Sequence, residues 1–301
     1  MKVIMTMIQG FCMSLADSVP GVSGGTIAFI MGFYDQFIGS LDAMVSGNKE
    51  QKKKAAVFLV KLMCGWGIGF CMSVLVIGNL FHTYIYQLCS LFMGLTIFSL
   101  PIIFREEKES IIGHYKNVIF ALIGVGVVVA ITYSNQHIGA GSSVDISALS
   151  WKNGIYLFVV AMIAISAMVL PGISGSTLLL IFGLYVPIIS GIKEFLHFNF
   201  QYVPALFVFG CGVIVGILSV IKLVKLGLER HRSAMIYFIL GLMFGSLYAI
   251  VMGPTTLDVP QEAMGVKTFH VVFFLLGGVI LFALEKLKHI AERTTEVCVT
   301  E

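Results

Sequence analysis

Apolar residues run along this chain in blocks too long and too uniform for the one-sided stripe of a soluble helix. Six blocks, at 57–80, 84–104, 118–134, 203–224, 234–252 and 269–287, approach the roughly 20 apolar residues that carry a helix across a bilayer. Polar residues gather between the blocks instead of alternating within them, so the pattern predicts helices and no strands. Two further stretches, 3–41 and 155–192, are too long for a single crossing. The second holds 38 consecutive residues without Asp, Glu, Lys or Arg. As one straight helix it would measure about 57 Å, nearly twice the hydrocarbon thickness. It must fold back, and Pro171-Gly172 marks the break, as Pro20-Gly21 does in the first stretch. Proline removes a helical N–H and biases its predecessor away from the α region, while glycine permits the turn.

Composition agrees with the pattern. Of 301 residues, 58% are hydrophobic and 12% charged, against about 45–50% and 25% in soluble domains. Mean hydropathy is +0.97. The fold class is therefore an all-α polytopic membrane protein. A net charge of +3, scattered in short clusters, is no nucleic-acid footprint. Five cysteines (Cys12, Cys64, Cys71, Cys89 and Cys211) lie in apolar stretches and Cys298 in the tail, with no Cys-x-x-Cys and no metal spacing. Neither a metal nor a cofactor is expected. Lys2 and the run after it imitate a signal peptide, but that run continues without a convincing cleavage site into a motif that recurs later.

Basic clusters mark cytoplasmic loops. Lys49, Lys52, Lys53 and Lys54 form one, Arg105, Lys108 and Lys116 a second, Lys222, Lys225, Arg230 and Arg232 a third. Lys286, Lys288 and Arg293 close the series, whereas 135–150 and 253–266 lack Lys and Arg and read as external. Three spans then lead from inside at Lys54 to outside near residue 140, and three more from an external 193–202 loop to a cytoplasmic C-terminus. The stretch 155–192 starts and ends outside, and 3–41 starts and ends inside. Lys193 stands on the disfavoured side, offset by Glu194.

The two halves resemble each other. Pro20-Gly21-Val22-Ser23-Gly24-Gly25-Thr26 matches Pro171-Gly172-Ile173-Ser174-Gly175-Ser176-Thr177, and Gly32 and Tyr34 match Gly183 and Tyr185 at the same spacing. Gly94-Leu95 with Ser99-Leu100 recurs as Gly241-Leu242 with Ser246-Leu247. Val118, Phe120, Leu122 and Gly124 recur as Val271, Phe273, Leu275 and Gly277. Each half is one broken, re-entrant hairpin plus three transmembrane helices: 1–140 entering from the cytoplasmic side, 150–290 from the external side, then a cytoplasmic tail at 291–301. An odd number of crossings inverts the second copy, and inverted repeats with broken helices are a transporter pattern. A duplicated structural fold whose glycines serve packing is the plainer alternative.

After each Pro-Gly turn, Ser23 or Ser174 can cap a helix whose first turn is Gly24-Gly25-Thr26 or Gly175-Ser176-Thr177. The N–H groups of that turn lack partners, its dipole end is positive, and glycine lets an anion come close. Two such ends meeting from opposite faces would cradle an anion without lysine. The competing reading is a helix break satisfied by its own cap.

Asp17 stands three residues before Pro20, in a context where a carboxylate costs about 2.5–3.5 kcal/mol on insertion scales. Its counterpart is Met168, so the fold does not need the charge, and Asp17 is a candidate for carrying a proton or gating substrate. Asp35, matched by Val186, reads as interfacial. Lys61 can snorkel toward the cytoplasm and Arg105 reads as a positive-inside anchor; both are weaker candidates for touching a phosphate.

The run Ala16-Asp17-Ser18-Val19-Pro20-Gly21-Val22-Ser23-Gly24-Gly25-Thr26, with its second copy, resembles the bacterial polyprenyl-phosphate transporter family over essentially the whole chain. The resemblance implies a cell-membrane flippase that returns undecaprenyl phosphate from the outer to the cytoplasmic leaflet for cell-wall glycan synthesis. The implied partners are that lipid and the bilayer, with H⁺ or Na⁺ as candidate coupling ion. Integral-membrane undecaprenyl-pyrophosphate phosphatases also use inverted hairpins, with a Pro-Gly-x-Ser-Arg-Ser stretch and a Glu-rich partner motif. Here Gly24 and Gly175 take the place of that arginine and no paired glutamates lie nearby, so no residue is assigned a catalytic role. A secondary transporter of a small soluble anion is the other rival.

Overall fold

The computed structural model describes residues 2–17, 23–72, 78–138, 150–196, 198–256 and 261–297, and no strand occurs among them. The first half comprises α1 (Lys2–Asp17), α2 (Gly24–Ile30), α3 (Tyr34–Ser46), α4 (Lys49–Met72), α5 (Gly78–Glu106), α6 (Lys108–Ile111) and α7 (Val118–Ile138). The second comprises α8 (Trp151–Val169), α9 (Gly175–Ile181), α10 (Tyr185–Leu196), α11 (Val203–Arg230), α12 (Arg232–Met252) and α13 (Val271–Val297). Six described helices are long and apolar enough to cross a membrane. The chain is an all-α, multi-pass membrane protein.

The stretches 3–41 and 155–192 are interrupted as the sequence requires, but each falls into three helices instead of two. Pro20 and Gly21 lie outside the described residues; at Gly172 the backbone turns with φ +90°. The unforeseen second interruption ends α2 at Gly32 and α9 at Gly183, with φ +68° and +65°. Phe33 N–H then donates to Ala28 O at 3.0 Å, and Leu184 N–H to Leu179 O at 2.8 Å. This is the Schellman ending, in which left-handed glycine lets the next N–H reach back to an orphan carbonyl.

Helix α4 begins well before the apolar block at 57. Asn48 and Gln51 cap each other reciprocally, Asn48 N–H donating to Gln51 Oε1 and Gln51 N–H to Asn48 Oδ1, both at 2.9 Å. The cap starts a lysine-rich turn of good helix formers, so the helix outruns the hydrophobic signal.

Packing pairs α1 with α4 and α8 with α11; α5 runs along α13 and α7 along α12, so spans of one half pack on spans of the other. The close approaches recur copy for copy. A Cβ on Gly69 would lie 2.8 Å from Phe11 O, and one on Gly216 2.6 Å from Met162 O. A Cβ on Gly124 would press on Phe238 O, and one on Gly277 on Leu91 O. Small residues that admit a neighbouring backbone are how helices associate where lipid removes the hydrophobic drive. Buried hydroxyls are satisfied locally: Ser99 donates to Thr96 O and Ser246 to Met243 O, each at 2.7 Å. Leu122 (64% exposed) and Leu275 (52%) face outward, where only lipid makes such a surface stable.

At one end of the bundle, ion pairs hold α3 against the second half. Arg232 on α12 forks between Asp35, at 2.9 Å, and Glu107, while Lys225 on α11 meets Asp42 at 2.6 Å. Asp35, read from the sequence as an interfacial carboxylate, is paired here with Arg232.

Candidate functional site

The site grows from the two interruptions, because broken helices leave backbone groups that need partners. Ser23 caps α2 from an extended backbone conformation, its Oγ accepting from Thr26 N–H at 3.3 Å. The capping role read from the sequence is present in the first copy. Ser23 and Thr26 then reach across to the second copy. Thr26 Oγ1 accepts from Gly172 N–H at 2.7 Å, Ser23 Oγ donates to Leu170 O at 3.4 Å, and Tyr34 Oη donates to Val169 O at 3.2 Å. The polar groups freed by the break after α8 are thus satisfied by side chains of the first half. Gly25 permits this approach, since a Cβ there would stand 2.9 Å from Val169 O.

Asp17 occupies the start of α2. Its Oδ1 accepts from Gly24 N–H at 2.7 Å and its Oδ2 from the Trp66 indole N–H at 3.3 Å. An internal carboxylate therefore sits where an anion was expected, against the positive end of a helix. A Cβ on Gly24 would come within 2.8 Å of that carboxylate.

The second copy is arranged differently. Met168 stands where Asp17 stands in the first, and its Cβ lies 3.1 Å from a Cβ built on Gly175. Beside it opens a cavity of ≈ 260 Å³, whose lining includes Asp17, Ser174 and Gly175. Ala164, Ile165, Leu179, Phe209 and Val213 make up much of its apolar wall. A pocket with apolar walls and a few convergent polar groups is the usual form of a ligand site.

The structure thus brings Ser23, Gly25 and Thr26 against the second break, Gly24 against Asp17, and Ser174 and Gly175 against the cavity. The Ser23 and Thr26 hydroxyls are buried and bonded to the other hairpin, so the open face belongs to the second copy. Ser176 and Thr177 continue α9; the Ser176 side chain lies outside the described residues. Lys61 is half-buried on α4 and Arg105 exposed near the end of α5, and neither lines the cavity. Among the described residues no group of His, Cys, Asp and Glu is placed to hold a metal. Sequence reasoning missed Trp66, Tyr34 and Val213. The signal for two of them was present: Gly65-Trp66-x-x-Gly69 and Gly212-Val213-x-x-Gly216 are corresponding segments with Trp66 and Val213 each directly after the first glycine.

Residues 13–268 match the undecaprenyl phosphate translocase-like family. A polyprenyl-phosphate transporter of Staphylococcus aureus is 30% identical over 285 residues, covering 93% of this chain and 95% of its own length. A polyprenyl-phosphate transporter of Vibrio cholerae is 29% identical over 260 residues, covering 82% of this chain and 77% of its own. No solved structure matches the chain. With a match that runs from α1 to the approach of α13, the chain belongs to the undecaprenyl phosphate translocase-like family.

Proposed function

We propose that this protein moves polyprenyl phosphate, with undecaprenyl phosphate as the physiological species, from the outer to the cytoplasmic leaflet of the cell membrane without hydrolysing it. The observation that carries the reading is a cavity beside the two helix breaks, lined by Asp17, Ser174 and Gly175 and otherwise by apolar side chains. A phosphate beside those three residues leaves its chain among apolar side chains and lipid. The relatives named polyprenyl-phosphate transporters support the substrate class. The whole set Ser23–Thr26 and Ser174–Thr177 belongs to the site in this reading, with the first-copy hydroxyls released from the second hairpin as the headgroup passes. Asp17 gates it, carrying a proton or yielding the α2 start to the phosphate.

Purified protein in vesicles with labelled polyprenyl phosphate tests both halves of the statement. Leaflet exchange above protein-free vesicles, with no inorganic phosphate released, is the expected result; phosphate release in step with turnover would make the protein a phosphatase.

In this reading the repeats are 1–140 and 150–290, inverted relative to each other, with both termini cytoplasmic. The matched packing at Gly69 and Gly216, and at Gly124 and Gly277, supports the duplication. Single cysteines near Lys53 and Arg230 should label from the cytoplasmic side and those near Gly141 and Pro260, both outside the described residues, from the external side. External labelling near Lys53 would reverse the assignment.

Gly24→Ala and Gly175→Ala probe the cradle itself. Alanine favours a helix over glycine by about 1 kcal/mol, but here it meets neighbours. At Gly24 the neighbour is the movable Asp17 carboxylate, and at Gly175 it is Ala164 O at 3.0 Å. Gly24→Ala should leave the fold intact and weaken lipid-phosphate binding, measured by titration in detergent. Gly175→Ala should lower both binding and thermal stability. Normal binding by both variants would assign the two glycines to helix packing alone.

A further inference from the structure

Two pairs of positions that differ between the copies of the hairpin-and-span unit, Asp17 with Met168 and Trp66 with Val213, decide where a ligand fits. Gly65 and Gly69 on α4 press on Met7 O and Phe11 O of α1; Gly212 and Gly216 on α11 press on Phe158 O and Met162 O of α8. The correspondence puts Trp66 and Val213 at equivalent places, as it does Asp17 and Met168. In the first copy the Trp66 indole reaches the Asp17 carboxylate. In the second, Val213 and Met168 line the ≈ 260 Å³ cavity instead.

Resting on the function proposed above, we infer that this one-sided cavity is the chamber for the phosphate-proximal isoprene units of the lipid, and that Val213 determines it. Its volume falls just short of the about 300–1,000 Å³ that hold whole drug-sized ligands, so it takes the end of a chain and leaves the remainder to the bilayer. Its wall suits methyl-branched carbons: Ile165, Leu179 and Val213 are branched and Phe209 offers a ring face. Ser174, Gly175 and Asp17 are the residues of its lining that can meet a phosphate, which leaves the chain to the apolar ones. In the first copy the residue equivalent to Val213 is Trp66, whose indole is bonded to Asp17.

The test transfers the first-copy residue to the second copy. Val213→Trp should weaken binding of farnesyl phosphate, measured by titration in detergent. A misfit of even one methylene in an apolar pocket is worth about 10–200-fold, so a fall of about tenfold or more is expected. Binding of inorganic phosphate, which lacks the chain, measured by the same titration, should stay within about twofold of wild type. Unfolding temperature and gel-filtration profile establish that the variant is folded. Should it not fold, Val213→Cys on an active cysteine-free background serves: farnesyl phosphate should protect the thiol from a maleimide and inorganic phosphate should not. Wild-type farnesyl phosphate affinity in Val213→Trp, or a thiol that the lipid leaves unprotected, would overturn the chamber while leaving lipid-phosphate transport standing. A wild-type protein that binds no prenyl phosphate and exchanges none would overturn the function and the chamber together.

Discussion

Gly172→Ala should abolish most of the folded protein, as a large fall in unfolding temperature and a gel-filtration profile shifted to aggregate. Two costs coincide there. The residue has φ +90°, which an L side chain adopts at a cost of about 1–2 kcal/mol. A Cβ would also stand 2.5 Å from Leu242 O on α12, and forcing a carbon into a packed interior costs typically about 1–3 kcal/mol. The sum takes a large share of the about 5–15 kcal/mol that holds an ordinary domain together. Its N–H is moreover the donor to Thr26 Oγ1, so the same shift disturbs the contact between the hairpins. Gly67→Ala is the control. Nothing lies within 4 Å of a Cβ at Gly67 in the middle of α4, so alanine there should be neutral or gain up to about 1 kcal/mol. Equal unfolding temperatures for the two variants would remove the structural weight placed on the break after α8.

The spans were legible because each is a block of apolar residues bounded by charge, and the breaks because proline and glycine interrupt runs too long to be straight. Helix starts were less legible. Asn48 and Gln51 set the start of α4 through a local exchange of hydrogen bonds that hydropathy does not register. The turns at Gly32 and Gly183 were visible as repeated residues, but nothing in the repeat says that glycine there is left-handed.

The site was half legible. The paired motifs announced two helix starts, and Asp17 stood out as a carboxylate among apolar residues. What the start of α2 does with Asp17 depends on Trp66, 49 residues away on another helix, and no local pattern carries that. The commitment of Ser23 and Thr26 to the second hairpin is likewise a tertiary fact, set by how closely Gly25 lets the two breaks approach.

Asp17→Asn should leave protein that folds at reduced stability and transports with a flattened pH profile. The stability loss follows from donors. Asp17 accepts from both Gly24 N–H and the Trp66 indole, whereas asparagine has one acceptor oxygen and turns an NH₂ toward the other donor. A buried donor left without a partner costs about 1–3 kcal/mol. Trp66→Phe in the same chain removes that donor and should restore much of the unfolding temperature. It should not restore the pH profile, because the profile depends on the charge. Among the described residues that line the cavity Asp17 alone is ionisable, and its ionised form repels a phosphate placed there. Wild-type affinity for the lipid phosphate should then fall as rising pH removes the proton from Asp17. The asparagine variant, uncharged throughout, should bind more tightly than wild type at the alkaline end. What remains of its pH dependence is the second ionisation of the phosphate itself, near about pH 6. Leaflet exchange and binding of the two proteins are to be compared between roughly pH 5 and pH 9, an interval that includes the phosphate's second ionisation. A variant whose profile superimposes on that of wild type would leave Asp17 a structural acceptor for Gly24 and Trp66, with no part in gating the phosphate.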